Sequence, residues 1–326
     1  MRLRPLEWTD DGVRLLDQRL LPHEERWLLL ATWQEVAAAI RDMAVRGAPA
    51  IGIAAAYGMA LAAQKGEDRA AADAGLRASR PTAVNLFIAL DRLATLPDDQ
   101  LLAEARRIEQ EDLAINEAIG RHGLQWAADL GSGPFRILTI CNTGAVATAG
   151  LGTALGIIRA LHQRGKVAEV LTCETRPRLQ GLRLTAWELQ REAIPFRSIV
   201  DSAAAFALAR QSIDFVVVGA DRIAQNGDTA NKIGTLSLAV LARHFGVPFV
   251  VAAPSTTFDT NLPTGDGIPI EERSAEEITE VEGVRVAPPA IAVWNPGFDV
   301  TPGDLITAII DENGIHTPPY RFGAQP

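Results

Sequence analysis

Val216-Val-Val-Gly-Ala-Asp221-Arg-Ile-Ala-Gln-Asn-Gly-Asp228-Thr-Ala-Asn231-Lys232-Ile-Gly-Thr235 reads as an apolar strand that empties directly into a polar, glycine-punctuated loop. Open α/β sheets bind ligands outside the carboxyl ends of their strands. Asp221 stands where this strand should end, with Asn231 and Lys232 opening the next helix-like run. A carboxylate, an amide and an ammonium are therefore expected to face one crevice.

The same rhythm extends through the second part of the chain. Phe135–Ile140, Val167–Thr172, Pro195–Val200, Phe215–Val218, Pro248–Ala252 and Ala290–Val293 are short apolar runs, most of them separated by helical patterns. Such alternation predicts a Rossmann-like, largely parallel sheet with both faces covered. Upstream the pattern is different. Residues 3–31 alternate apolar pairs with turn-rich breaks at Asp10-Asp-Gly12 and Pro22-His-Glu-Glu25, which favours a small antiparallel sheet. Thr32 can cap a helix from Trp33 with Glu35 in its first turn, and alanine-rich segments at 50–64, 68–79 and 83–95 and an amphipathic run at 97–121 continue the helical signal. The fold class is α/β. Two domains are expected: a mainly helical domain over 1–125 carrying the small sheet, and a Rossmann-like α/β domain over 126–326, with Gly131-Ser-Gly-Pro134 as a turn near the boundary.

The 326 residues carry 48% hydrophobic side chains and a net charge of −9, enough for globular cores and without a basic surface for a phosphate backbone. No nucleic acid is expected as a partner. The first residues lack a secretory leader, and apolar runs stop short of the ~20 residues of a membrane span, so no membrane association and a cytoplasmic location are expected. Cys141 and Cys173 are the two cysteines, which excludes a disulfide framework and a cysteine-rich zinc site. His23, His122, His162, His244 and His316 include no pair at metal-ligand spacing, so no metal is expected.

Arg46-Gly-Ala-Pro-Ala-Ile-Gly52 couples a guanidinium to a flexible backbone before an alanine-rich helix. The exposed amides of a helix start together with Arg46 suit an anion such as phosphate; the competing reading is a helix-to-helix turn with Arg46 facing water. Cys141 should end the first strand of the second domain, with Asn142, Thr143 and Gly144 turning into a helix whose amides would stabilise a thiolate. It equally suits a small buried hydrophobe. Cys173 is read as structural, because Glu174 disfavours its thiolate. Glu174–Gly181 is a polar loop suited to a sugar or its phosphate, unless Glu174 and Arg178 merely pair with each other. The glycines of Gly150-Leu-Gly152-Thr-Ala-Leu-Gly156 are placed inside a helix, where they allow close packing and do not form a dinucleotide turn. Asp221 is either a loop carboxylate paired with Arg222 or, lying beside apolar strand residues that raise a carboxyl pKa, a proton donor.

Taken in order, Arg46–Gly52, Ser79-Arg80-Pro-Thr-Ala-Val-Asn-Leu86, Cys141-Asn-Thr-Gly144, Glu174–Gly181, Gly219-Ala-Asp-Arg-Ile223, Asn231-Lys-Ile-Gly-Thr235, Ile268-Pro-Ile-Glu-Glu-Arg273 and Asn295-Pro-Gly-Phe-Asp-Val-Thr-Pro302 resemble the methylthioribose-1-phosphate isomerase family of methionine salvage, which is related to the regulatory subunits of translation initiation factor 2B. The resemblance spans nearly the whole chain. One departure falls at Phe87-Ile-Ala-Leu90, where a tryptophan is expected, and it bears on apolar packing more than on phosphate binding.

The resemblance implies a cofactor-independent aldose-to-ketose isomerisation of 5-methylthioribose 1-phosphate to 5-methylthioribulose 1-phosphate by a homodimer. It makes Cys141 and Asp221 the catalytic pair, with Arg46, Gly47, Ala48, Arg80, Gln180, Asn231 and Lys232 on the substrate. The residue types suit these roles. Two arginines and a lysine can hold a phosphate dianion, and two amides can hold hydroxyls. Two other functions fit less well. Ribose 1,5-bisphosphate would need a second cationic cluster, and a non-catalytic regulatory subunit would not need both Cys141 and Asp221.

Overall fold

A computed structural model describes residues 3–81, 83–281 and 283–323. Thr82, within one of the quoted segments, and the first two residues, within the N-terminal reading, lie outside the described residues. The chain divides into two compact units, Met1–Ala118 with Thr143–Gly156, and Ile119–Asn142 with Ile157–Pro326.

In the first unit, Leu6–Thr9, Gly12–Leu16 and Trp27–Leu30 form the expected antiparallel sheet, with Leu6 opposite Leu15 and Val13 opposite Leu30. Thr32 then starts the helix Trp33–Arg41: its hydroxyl accepts the Glu35 amide N–H while the Glu35 carboxylate accepts the Thr32 N–H, satisfying two orphan donors of the first turn. The helix Ala48–Gln64 is apolar nearly all round and is buried over Ala50–Ala62, as such a helix must be. Gly52 lets it approach closely: a Cβ there would lie 2.8 Å from Asn85 O on the helix Val84–Ala94. Leu6, Val13, Leu15, Val36, Ile40, Ile53, Tyr57, Leu76 and Leu86 make up the centre of this core. Phe87, where a tryptophan was expected, packs at its edge with the Arg77 guanidinium over its ring.

The loop Thr143–Gly156 belongs to this unit. Its Ala149 amide donates to the Asp112 carboxylate at 2.7 Å, and burial pushes that carboxyl up to about 6. Gly150 and Gly152 sit in this loop at φ +146° and +84°, and a Cβ on Gly152 would lie 2.2 Å from Thr143 O. Their expected place inside a helix is therefore corrected. The helix begins only at Ala154, and of the three glycines it contains Gly156 alone.

The second unit is built on a seven-stranded sheet, in the order Ile315–His316, Ala308–Ile310, Phe249–Ala252, Phe215–Val218, Phe135–Thr139, Val167–Cys173 and Phe196–Ile199. All neighbours are parallel except Ile315–His316, which runs antiparallel to Ala308–Ile310. One face, with Leu138, Val216, Val218 and Val251, packs on the helices Ala204–Arg210 and Thr235–Phe245 through Ala207, Leu208, Leu238 and Ala242. On the other face the Phe215 ring meets Trp126 edge-on at 5.3 Å. This is the expected α/β architecture.

The expected strand at Ala290–Val293 is absent. Pro288 and Pro289 precede it, Ile291 and Trp294 are exposed, and the segment is irregular. The strand role falls instead to Ala308–Ile310, fully buried between two neighbours. Among the described residues no helix is long and apolar enough to cross a membrane, and no group of three or more His, Cys, Asp or Glu could hold a metal ion.

Candidate active site

The strand order decides where chemistry can sit. From Phe135–Thr139 the chain moves outward to Val167–Cys173 and Phe196–Ile199, then returns to place Phe215–Val218 on the other side of Phe135–Thr139 and continues in the opposite direction. The switch point therefore lies between these two strands, which pair at Ile137 with Phe215 and Leu138 with Val216. Ligands of open α/β sheets bind outside the carboxyl ends at such a point. Cys141 follows one of the two strands and Asp221 follows the other.

Cys141 is half-buried and holds φ +64°, the left-handed region that a non-glycine residue enters at a cost of ~1–3 kcal/mol. Its N–H donates to Thr175 Oγ1 at 2.9 Å, and its carbonyl accepts from Thr185 Oγ1 at 2.6 Å. Asn142 Nδ2 donates to Glu188 Oε1 at 2.8 Å, and the buried Glu188 also accepts from Arg159 Nη2 at 2.6 Å. Asn142, Thr143 and Gly144 were expected to turn into a helix; they lead instead into a single 3-10 turn, Ala145–Ala147. Cys173 is buried, and burial first, then Asp201 and Glu174, pushes its thiol up to about 12, so it stays protonated at neutral pH.

The Glu174–Gly181 loop is pinned from several sides. Asp201 accepts the amides of Thr175 and Arg176 at 2.8 and 2.7 Å, and Arg178 pairs with Glu277 at 2.7 Å, so the suggested pairing of Glu174 with Arg178 alone does not hold. Gly181 opens a π-helical turn, Gly181–Thr185, and a Cβ there would fall 1.7 Å from Cys173 O. Gln180 is only 2% exposed, and its Oε1 has no hydrogen-bond partner among the described residues. A buried acceptor left unmatched costs about 1–3 kcal/mol, so this oxygen is suited to receive a ligand hydroxyl.

Asp221 is exposed at the end of its strand, and its N–H donates to Ala230 O at 2.9 Å. Arg222 turns to Asp259 at 3.4 Å. Asn231 and Lys232 were expected to open a helix; they end instead the strand Thr229–Lys232 of a four-stranded side sheet, and the helix starts at Thr235 after Gly234 at φ +103°. Asn231 is buried and donates to Thr235 Oγ1 at 2.9 Å, while Lys232 Nζ donates to Gly297 O at 3.0 Å and lies 4.8 Å from the Phe298 ring centre. Asp299, opposite Asn231 across the sheet, accepts the Gly234 and Leu236 amides at 2.7 and 3.0 Å; burial pushes its carboxyl up to about 6 against the opposing pull of those amides and Lys232.

The remaining expected ligand residues belong to the first unit. Gly47, at φ +95°, caps the helix Ala48–Gln64 with no side-chain hydrogen bond, and a Cβ there would lie 2.4 Å from Ala147 Cα. Gln18 Nε2 ties the preceding residue down, donating to Arg46 O at 3.3 Å and Val146 O at 2.7 Å. Arg80 is half-buried and ends the helix Arg69–Ser79. Thus Cys141, Gln180, Asp221, Asn231 and Lys232 belong to the unit of the parallel sheet, and Arg46, Gly47, Ala48 and Arg80 to the other. Gln18, Thr185 and Glu188 fall outside the quoted motifs, and Thr175 and Asp299 lie within them without being singled out; their roles come from contacts between segments far apart along the chain.

Residues 44–318 match the model of the initiation factor 2 subunit family. A methylthioribose-1-phosphate isomerase of Syntrophotalea carbinolica is 53% identical over 99% of this chain and 98% of its own. The chain belongs to the initiation factor 2 subunit family and, within it, to the methylthioribose-1-phosphate isomerases. Among family members of known structure, the 5-methylthioribose 1-phosphate isomerase of Pyrococcus horikoshii OT3 superposes with a TM-score of 0.91 at 42% identity, covering 97% of this chain and 93% of that one. The delta subunit of translation initiation factor eIF-2B from A. fulgidus superposes at 0.87 with 40% identity, covering 98% and 97%.

Proposed function

We propose that this chain interconverts 5-methylthioribose 1-phosphate and 5-methylthioribulose 1-phosphate, without a cofactor, as a step of methionine salvage. The observation that carries the reading is the placement of Cys141 and Asp221 after adjacent strands at the switch point of the parallel sheet. The anomeric carbon of this substrate carries phosphate, so its ring cannot open as a free sugar's does. An acid must help to break it. Asp221 is assigned to the ring oxygen as that acid, and Cys141, as a thiolate, to the C2 proton; the Cys141 thiol then returns its proton to C1 while the O2 proton restores the Asp221 carboxyl, which gives the ketose. The other route to the ketose moves hydride directly from C2 to C1 and needs no thiolate.

Arg46, Arg80 and Lys232 are assigned to the phosphate, Gly47 and Ala48 to its approach at a helix start, and Gln180 and Asn231 to hydroxyls. The unmatched Oε1 of Gln180 supports that assignment. Arg46→Ala is expected to raise KM about 10- to 100-fold, the equivalent of a lost charge-assisted contact; unchanged KM and kcat would remove Arg46 from the phosphate. A regulatory role without catalysis is the competing reading, favoured by the likeness to the A. fulgidus factor subunit. Turnover by the purified chain with no partner present separates the two.

The working form is assigned as a homodimer of the 34.9 kDa chain. Sedimentation at micromolar protein is expected to give twice that mass, and a monomer at that concentration would overturn the assignment.

A further inference from the structure

Thr185 is fully buried, and its hydroxyl is engaged twice: it donates to Cys141 O at 2.6 Å and accepts from Asn142 Nδ2 at 3.2 Å. With Thr175 Oγ1 accepting the Cys141 N–H, both backbone polar groups of Cys141 are bound by threonine hydroxyls delivered from another segment. Thr185 closes the π-helical turn Gly181–Thr185, and such single π turns are frequent at functional sites. The turn rests directly on the end of the neighbouring strand, because Gly181 leaves no atom between itself and Cys173 O. Left-handed backbone at a non-glycine residue persists where its surroundings over-determine it. Cys141, at φ +64°, is such a residue.

We propose that Thr185 is a positioning residue for Cys141: by binding its carbonyl, the hydroxyl holds Cys141 in the left-handed conformation and so sets the direction of the thiol at the carboxyl edge of the sheet. The role in turnover rests on the isomerase reading above, whereas the hold on the thiol does not. Thr185→Val keeps the volume and removes both hydrogen bonds; Thr185→Ser keeps the hydroxyl.

Each variant is assayed for turnover of 5-methylthioribose 1-phosphate and for the rate at which iodoacetamide alkylates Cys141, followed by the mass of the peptide that contains it. The valine variant is expected to lose about 10- to 100-fold in kcat with KM within roughly twofold, and to alter the alkylation rate by about threefold or more. The serine variant restores both to within about threefold of wild type. A valine variant that matches wild type in both measurements overturns the proposal. So does one that loses kcat while Cys141 alkylates at the wild-type rate, since Thr185 then acts elsewhere. If the valine variant does not fold, Thr185→Ala against Thr185→Ser makes the same comparison. If the wild-type protein shows no turnover, the isomerase reading fails and the alkylation rates alone decide whether Thr185 holds the thiol.

Discussion

Asp221→Asn is expected to lower kcat by about 10²- to 10⁴-fold while KM stays nearly unchanged. The amide keeps the size of the side chain and a hydrogen-bonding end, but it has no carboxylic proton to deliver to the ring oxygen. Because the substrate cannot open its ring spontaneously, the loss falls on the chemical step. Binding is assigned to other groups, Arg46, Arg80, Lys232, Gln180 and Asn231, so affinity should survive. That division is the signature of an interaction made chiefly in the transition state. Folding should survive too: Asp221 is exposed, and substitutions at such positions usually shift stability by less than about 0.5 kcal/mol. A variant with a wild-type melting temperature and near-wild-type turnover would remove Asp221 from the role of acid.

Cys141→Ser is expected to reduce kcat by a comparable factor, about 10²- to 10⁴-fold, again with little change in KM. The substitution keeps the shape, and the threonine contacts hold the backbone of residue 141, which either side chain shares. What changes is basicity. A thiol yields a usable thiolate near neutral pH, whereas a serine hydroxyl does not without a neighbouring base. Near-wild-type turnover of the serine variant would remove the thiolate base and leave direct hydride transfer from C2 to C1 as the route. Cys173 cannot substitute for it, because burial pushes its thiol up to about 12.

Much of the fold was legible because local and global preferences agree. Phe215–Val218 is a continuous apolar run ended by glycine, and it is indeed buried on both sides in the centre of a parallel sheet. The Thr32 and Glu35 pair predicts its helix start through a contact that spans one turn. Elements that depend on distant partners were not legible. Thr229–Lys232 is polar and reads as a loop running into a helix at Asn231, yet it becomes a strand because Arg222–Ala224 and Phe298–Thr301 pair with its backbone. Ala290–Val293 has strand composition but no paired neighbour among the described residues. Within the proposed site, the resemblance singled out Cys141 and Asp221, and the strand order puts them after two adjacent strands of the sheet. The left-handed backbone of Cys141, its two threonines and the buried oxygen of Gln180 arise from packing of segments dozens of residues apart, which no spacing in the sequence encodes.

The most direct measurement is turnover of 5-methylthioribose 1-phosphate by the purified chain alone, after dialysis against a chelator and with no cofactor or partner added. Conversion to 5-methylthioribulose 1-phosphate at a rate proportional to protein concentration is the expected result. A folded, homogeneous protein that leaves the substrate unchanged would contradict the assignment.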